Sequence, residues 1–262
     1  MSMRSLLNRI AWKYRRTVSR RFCRRMVAIS TKVPLISFSF DDAPRSAFSH
    51  GGDILKAHGA RATFFVSFGL LGSESPSGTI AFEDDLCRAV EEGHELGCHT
   101  FDHKDPWKTP TEVFEQSVLK NRQALARILP ETAFAAFAYP LCGPRPATKR
   151  RVGKLFNCCR GGGQTFNVGM ADLNLLKAFF LDIRNGDNID TVRRLIDRNS
   201  ESRGWLIFAT HDVVDDPSPY GCTKKFFEEV VAYSARSDAR LLPVGKACQE
   251  LQASRSESTI SI

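Results

Sequence analysis

Strand-type and helix-type segments alternate across residues 33–252, and this alternation limits the fold more than any other feature of the chain. Ser37-Phe38-Ser39-Phe40 pairs apolar with polar residues at a period of two, and Ala62-Thr63-Phe64-Phe65-Val66 is rich in β-branched and aromatic side chains; both patterns predict strands. Further strands are expected over 94–98, 133–139, 205–210 and 240–244. Between them the pattern predicts helices over 52–58, 80–92, 111–129, 188–202, 223–236 and 245–252, with a short solvated helix at 149–154. Gly59 fits a helix C-terminal stop, and Thr109-Pro110-Thr111-Glu112 resembles a capping box with an early proline. Residues 72–78 and the run Arg160-Gly161-Gly162-Gly163 read as loops. Strands that alternate with helices pair in parallel, so the expectation is one α/β domain, an open parallel sheet or a barrel.

The formal charge of +8 is unevenly placed. Residues 1–32 carry ten Lys or Arg and no acid, while the rest has 27 basic against 29 acidic residues. A near-neutral body gives no support for nucleic-acid binding. Within the arm, Leu7, Ile10, Ala11, Tyr14, Val18, Phe22 and Met26 recur at helical spacing among arginines, so residues 1–30 predict a basic amphipathic helix. Such a helix suits an anionic membrane surface; an arm on nucleic acid and a solvated tail are the competing readings. The serine-rich end, 253–262, is expected to be a disordered tail. Eight cysteines form no C-x-x-C pair, which favours a reducing compartment. Arg9, Lys13, Arg15 and Arg16 interrupt any apolar signal core, so the cytoplasm is expected, with peripheral attachment at the inner face of the membrane.

In a parallel α/β fold, chemistry gathers at the C-terminal ends of strands. Three predicted strands end in suitable residues: Asp41-Asp42, His99 and His211-Asp212. On one helical turn, His99 and His103 would share a face and could share an ion. With one carboxylate they suit a catalytic zinc with open positions. The zincin protease pattern requires Glu after its first His, and Thr100 stands there. A non-haem iron centre uses the same donor types, and a polar pair without metal is the remaining alternative. His50, His58 and His94 have no partner at metal spacing and read as surface residues, and Trp205 as core. Trp107 and Tyr139 flank the motif residues.

Ser39-Phe40-Asp41-Asp42, then Gly93-His94-Glu95-Leu96-Gly97-Cys98-His99-Thr100-Phe101-Asp102-His103, then Trp205-Leu206-Ile207-Phe208-Ala209-Thr210-His211-Asp212 resemble three signature motifs of the polysaccharide deacetylases, carbohydrate esterase family four. The resemblance spans roughly 33–247. It implies a distorted (β/α) barrel and metal-dependent removal of an N-acetyl group from an amino sugar. Carried over position by position, Asp41 resembles the general base, Asp42, His99 and His103 the metal ligands, and His211 the general acid. Zinc is the ion expected, and an N-acetylated amino-sugar glycan the substrate.

The chain also departs from that pattern. Ala138 stands where an arginine that orients the base is expected, Leu141 where an aromatic is expected, and Ala43 where glycine is common. Arg145 or Arg160 is available to supply the absent cation, and Leu181-Asp182-Ile183 is a weak match for a late Asp-Trp motif. Tyr139, Leu141 and Arg160 are the candidates for holding substrate or oxyanion. Two other readings follow: a deformylase or deacylase acting on a lipid-linked sugar, and a carbohydrate-binding relative without turnover.

Overall fold

A computed structural model describes residues 3–29 and 31–260. The chain opens with helix α1 (Met3–Arg21) and strand β1 (Met26–Ala28) and enters the body at β2 (Leu35–Phe40). A π-helical turn, Ala47–Gly52, runs into α2 (Asp53–Ala57), which leads to β3 (Ala62–Val66). A hairpin of β4 (Glu74–Ser75) and β5 (Gly78–Thr79) precedes α3 (Glu83–Glu91) and β6 (Glu95–Cys98). Next come α4 (Thr111–Ile128), β7 (Ala136–Ala138), α5 (Pro146–Val152) and β8 (Cys158–Arg160). Strands β9 (Met170–Asp172) and β10 (Phe179–Phe180) follow without an intervening helix. Finally come α6 (Ile189–Glu201), β11 (Trp205–Thr210), α7 (Lys224–Ala235), β12 (Arg240–Leu241) and α8 (Val244–Ile260).

Seven strands pair in the order β10-β11-β2-β3-β6-β7-β8, every pairing parallel, and β12 joins the start of β2. The sheet curls until its two ends approach each other. There Arg160 bridges Leu176 in parallel, and Gln164 N–H donates to the Ala178 carbonyl at 3.0 Å. The result is the distorted α/β barrel expected from the sequence. Its closure is irregular because β8 and β10 are only three and two residues long.

Alternation along each strand separates two cores. Ile36, Phe38, Phe40, Phe64, Leu96, Phe137 and Phe208 face the surrounding helices. Leu35, Phe65, Ala136, Ala138, Cys158, Trp205, Ile207 and Ala209 fill the barrel, together with Val244, Ala247 and Leu251 of α8. The Trp205 indole N–H donates to Ser37 Oγ at 3.0 Å, so the largest buried side chain leaves no orphan donor. The start of α8 plugs the lower mouth, where Val244 N–H donates to Thr63 Oγ1 at 2.8 Å and Gly245 N–H to Glu95 Oε1 at 2.9 Å.

Both chain ends differ from expectation. The arm is helical over Met3–Arg21, but its last residues belong to the body, because β1 pairs antiparallel with β9. The buried Lys149 ammonium donates to the carbonyls of Ser19 at 2.8 Å and Phe22 at 3.0 Å and pairs with Asp172 at 2.5 Å. It caps the end of α1 as a cation at a helix C-terminus should. In place of a tail from residue 253, α8 continues to Ile260, with Leu251 buried and Ser254 Oγ donating to the Glu250 carbonyl. Residues 261 and 262 of the expected tail lie outside the described residues.

Candidate metal centre and acid–base pair

The inward register of the strands builds the site. Leu35, Ser37 and Ser39 point into the barrel, so Asp41, one step on, points inward at its upper rim. By the same count Glu95 and Gly97 lead to His99, Cys158 to Arg160, and Trp205, Ile207 and Ala209 to His211. Each side chain therefore arrives at one end of the barrel by continuing a strand.

Asp42 and His103 arrive differently. Strict alternation would turn Asp42 outward, but Asp42 (φ 59°) and Ala43 (φ 53°) are left-handed and fold the chain back across the mouth. Ala43 thus occupies a conformation that favours glycine. His99 and His103 do not share a helical turn. Thr100 (φ 64°) and His103 (φ 50°) are left-handed within an irregular loop, which brings the two imidazoles to a centroid separation of 5.0 Å. Several residues in this sparsely populated region around one small volume are characteristic of functional sites.

Asp42 Oδ1 lies 3.5 Å from His99 Nε2 and 3.3 Å from His103 Nε2, and the three ligand atoms lie within 4.8 Å of one another. This oxygen is buried without a hydrogen-bond partner among the described residues. Buried polar atoms are seldom left so, and a cation between these three donors would satisfy it. His99 Nδ1 lies 2.8 Å from the Ala138 carbonyl oxygen. A carbonyl only accepts, so Nδ1 carries the proton and Nε2 presents its lone pair to the centre. Burial, with His103 adding, pulls the His99 imidazole down to about 3 against the opposing pull of Asp42. For Asp42 burial acts upward, but His99, His103 and His211 together hold the carboxyl below its ordinary value. The donor set fits a divalent ion such as zinc.

His211 stands across the centre, with Nε2 3.8 Å from Asp42 Oδ2. Its Nδ1 donates to the Tyr220 carbonyl at 3.2 Å, so the ring is oriented by backbone. Buried Asp212 holds that backbone in place by accepting from Ser218 N–H at 2.7 Å and Ser218 Oγ at 2.6 Å. Burial lowers the His211 pKa, and Asp42 opposes the shift. The weak motif candidate Asp182 caps the turn Ile183–Asn185 and pairs with Arg184 at 2.6 Å.

The remaining candidates divide. Arg160 is a strand residue and not part of a loop; its Nη2 contacts Asp41 Oδ1 inside the barrel, away from any surface a substrate could touch. Burial brings the Arg160 guanidinium down to about 9. Tyr139 faces outward by alternation and is buried against Phe137 at 4.9 Å, so it offers no face to a sugar. Leu141 is left-handed (φ 55°) and 66% exposed, which leaves an apolar group at the mouth just past β7. Half-buried Trp107 meets Tyr14 of α1 edge-on at 6.1 Å, with Arg15 over its ring. His50 Nδ1 lies 2.8 Å from the Val213 carbonyl. His94, expected at the surface, is buried because its Nδ1 accepts the Ala62 N–H at 3.0 Å. The carbonyl that orients His211 was missed, since a backbone oxygen on a distant loop carries no residue-type signal.

Fold and site together define an α/β barrel with an Asp-His-His centre between a buried carboxylate and a histidine. Residues 28–155 match the polysaccharide deacetylase model and belong to that family. Over 91 residues the chain is 37% identical to the peptidoglycan-N-acetylglucosamine deacetylase PgdA of Listeria monocytogenes, which is 34% of this chain and 18% of that protein. It is 31% identical over 104 residues to a chitooligosaccharide deacetylase of Sinorhizobium fredii, 39% of this chain and 45% of the relative. The chain thus spans less than half the length of either relative. The solved chitin deacetylase of Colletotrichum lindemuthianum shares the fold, with a TM-score of 0.58 at 18% identity over 84% of this chain and 90% of that one.

Proposed function

We propose that the chain is a metal-dependent hydrolase that removes N-acetyl groups from an amino-sugar oligo- or polysaccharide. The observation that carries this reading is the orphaned Asp42 Oδ1 facing two imidazole Nε2 atoms. A divalent ion, zinc by the donor set, would be held by Asp42, His99 and His103 and would supply Lewis acidity toward the amide carbonyl. Asp41 takes a proton from the attacking water. An amine is a poor leaving group, and His211 protonates its nitrogen as the C–N bond breaks. Acetate and a free amino sugar result.

The test is release of acetate from N-acetylated chitooligosaccharides by purified protein, abolished by a chelator and restored by zinc. Turnover only of N-formyl or lipid-linked sugars would select the deacylase reading. A metal-loaded protein that binds such sugars without hydrolysis would select the non-catalytic one.

The same reading places the enzyme at the inner face of an anionic membrane, where lipid-linked or nascent surface glycans would be its substrates. The support is α1, which exposes Ile10, Trp12 and Tyr14, with Phe22 just past its end, among basic residues. Seven cysteines are free thiols among the described residues, in keeping with a reducing compartment. Among the described residues no helix is long and apolar enough to cross a membrane. Each basic residue near such a surface contributes about 1 kcal/mol, which salt screens. Deleting the arm would also remove Arg25, whose guanidinium donates to the Phe156 and Asn157 carbonyls, so substitution is the cleaner test. In the full chain, Ile10→Ser with Trp12→Ser should abolish co-sedimentation with anionic vesicles at high salt. Unchanged sedimentation removes the membrane from the proposal, and binding to nucleic acid alone would replace it.

A further inference from the structure

Asp41 and Arg160 are 119 residues apart in sequence and form a buried pair inside the barrel. The guanidinium lies over the Phe65 ring at 4.7 Å and near the Phe180 ring at 5.7 Å. Its Nε and Nη1 have no hydrogen-bond partner among the described residues, so its polar contact there is through Nη2 to one oxygen of Asp41. A cation held by two aromatic faces and one carboxylate has little freedom, and neither has the carboxylate.

The cost of such a pair is large. Both groups are desolvated, and replacing buried ion pairs by apolar residues often leaves a protein as stable or more so. Packing therefore gives no reason for Arg160 to be there. Position gives one. Ala138 of β7 and Arg160 of β8 are register partners, so their side chains share the inward face at one level. Alanine at 138 leaves the room that the long Arg160 side chain fills.

We infer that Arg160 is the positioning residue for Asp41, reaching the base from β8 across the space that Ala138 leaves open on β7. The inference rests on the proposed hydrolase reading for its consequence in turnover, but its geometric part stands alone. Arg160 touches no substrate. It fixes one carboxylate oxygen so that the other faces the attacking water.

Full-length, metal-loaded Arg160→Met, Asp41→Asn, the double variant, and Arg160→Met combined with Ala138→Arg form the test. Crystal structures of Arg160→Met and the Ala138→Arg combination come first, because they need no activity. The Asp41 carboxylate should turn from its position in the first and return to it in the second; an unmoved carboxylate in Arg160→Met overturns the inference. If Arg160→Met does not fold, Arg160→Lys serves, with the carboxylate expected to follow the shorter cation. On N-acetylated oligosaccharides, Arg160→Met should lose ~10²-fold in kcat, with KM and metal stoichiometry unchanged and partial recovery in the Ala138→Arg combination. Adding Arg160→Met to Asp41→Asn should cost little more, because a residue acting through another is non-additive with it. Multiplying losses, or loss of metal in Arg160→Met, would also overturn the inference. A wild-type protein that releases no acetate while Asp41 still follows the cation refutes the hydrolase reading and leaves the positioning relationship intact.

Discussion

His99 Nδ1–H donates to the carbonyl oxygen of Ala138 at 2.8 Å, so a peptide group on β7 sets the tautomer of a side chain that ends β6. The bond fixes which nitrogen faces Asp42 and His103. His99→Ala should therefore reduce bound zinc from near one per chain to near zero, as read by elemental analysis after dialysis. Retention of the metal by this variant would remove His99, and with it the proposed centre.

Asp41 and Asp42 are neighbours with different surroundings. Asp42 faces imidazoles and Asp41 faces a guanidinium. Asp41→Asn should keep the metal and lose ~10²–10⁴-fold in turnover, the usual contribution of a general base. Asp42→Asn should lose the metal. The reverse pattern would mean that the two roles are exchanged.

His211 is poised by a carbonyl to present Nε2 toward the centre. In the proposed role of general acid it would matter for an amine leaving group and much less for an activated phenolate, which departs as the anion. His211→Ala should cut deacetylation of an amino sugar by ~10²-fold or more, with only a small effect on an aryl acetate. Equal losses on both substrates would assign His211 a binding or structural role.

The sequence was legible where strands are long and end in unusual residues. β2, β3, β6 and β11 fall where pattern placed them, and the motif residues stand at their ends. β8, β9 and β10 were not legible, since two or three residues carry no periodicity and barrel closure is what makes them strands. The same brevity hid Arg160, which reads as the start of a glycine loop until β8 pairs with β7. The bend at Asp42 was illegible for another reason: Asp and Ala in left-handed conformation are forced there by the surrounding fold. Burial of His94 depends on an amide in β3, which no local pattern predicts.

That burial has a pH signature. His94 must stay neutral to accept the Ala62 N–H, and burial, with Arg61 adding, pulls its pKa from 6.5 to about 4. The unfolded chain therefore binds this proton first, and stability falls as pH drops from 6.5 through 4. A shift of this size corresponds to ~3 kcal/mol lost by pH 4. His94→Asn, whose side-chain oxygen can accept the same N–H, should show a flatter decline between pH 6.5 and 4 in urea titrations. Parallel pH curves for the two proteins would show that His94 does not govern acid sensitivity.

Gly97 links packing to the site in a way that one substitution exposes. It is the register partner of Phe65, and a Cβ at 97 would run into the Phe65 ring well inside van der Waals contact. Its φ is not left-handed, so the demand is for space alone. Phe65 carries the Arg160 guanidinium, and His99 follows Gly97 by two residues, just past the end of β6. Gly97→Ala must therefore push the ring toward Arg160 or move β6. Overpacking of this kind costs about 1–3 kcal/mol, and turnover should fall further than the stability loss explains because Asp41 moves with Arg160. Phe65→Leu makes room for the methyl, so the double variant should recover most of the lost urea midpoint. It should not recover turnover, because leucine offers the guanidinium no aromatic face. A Gly97→Ala protein with wild-type stability would show that Phe65 can yield without disturbing its neighbours, and the proposed path from β6 to the base would fail.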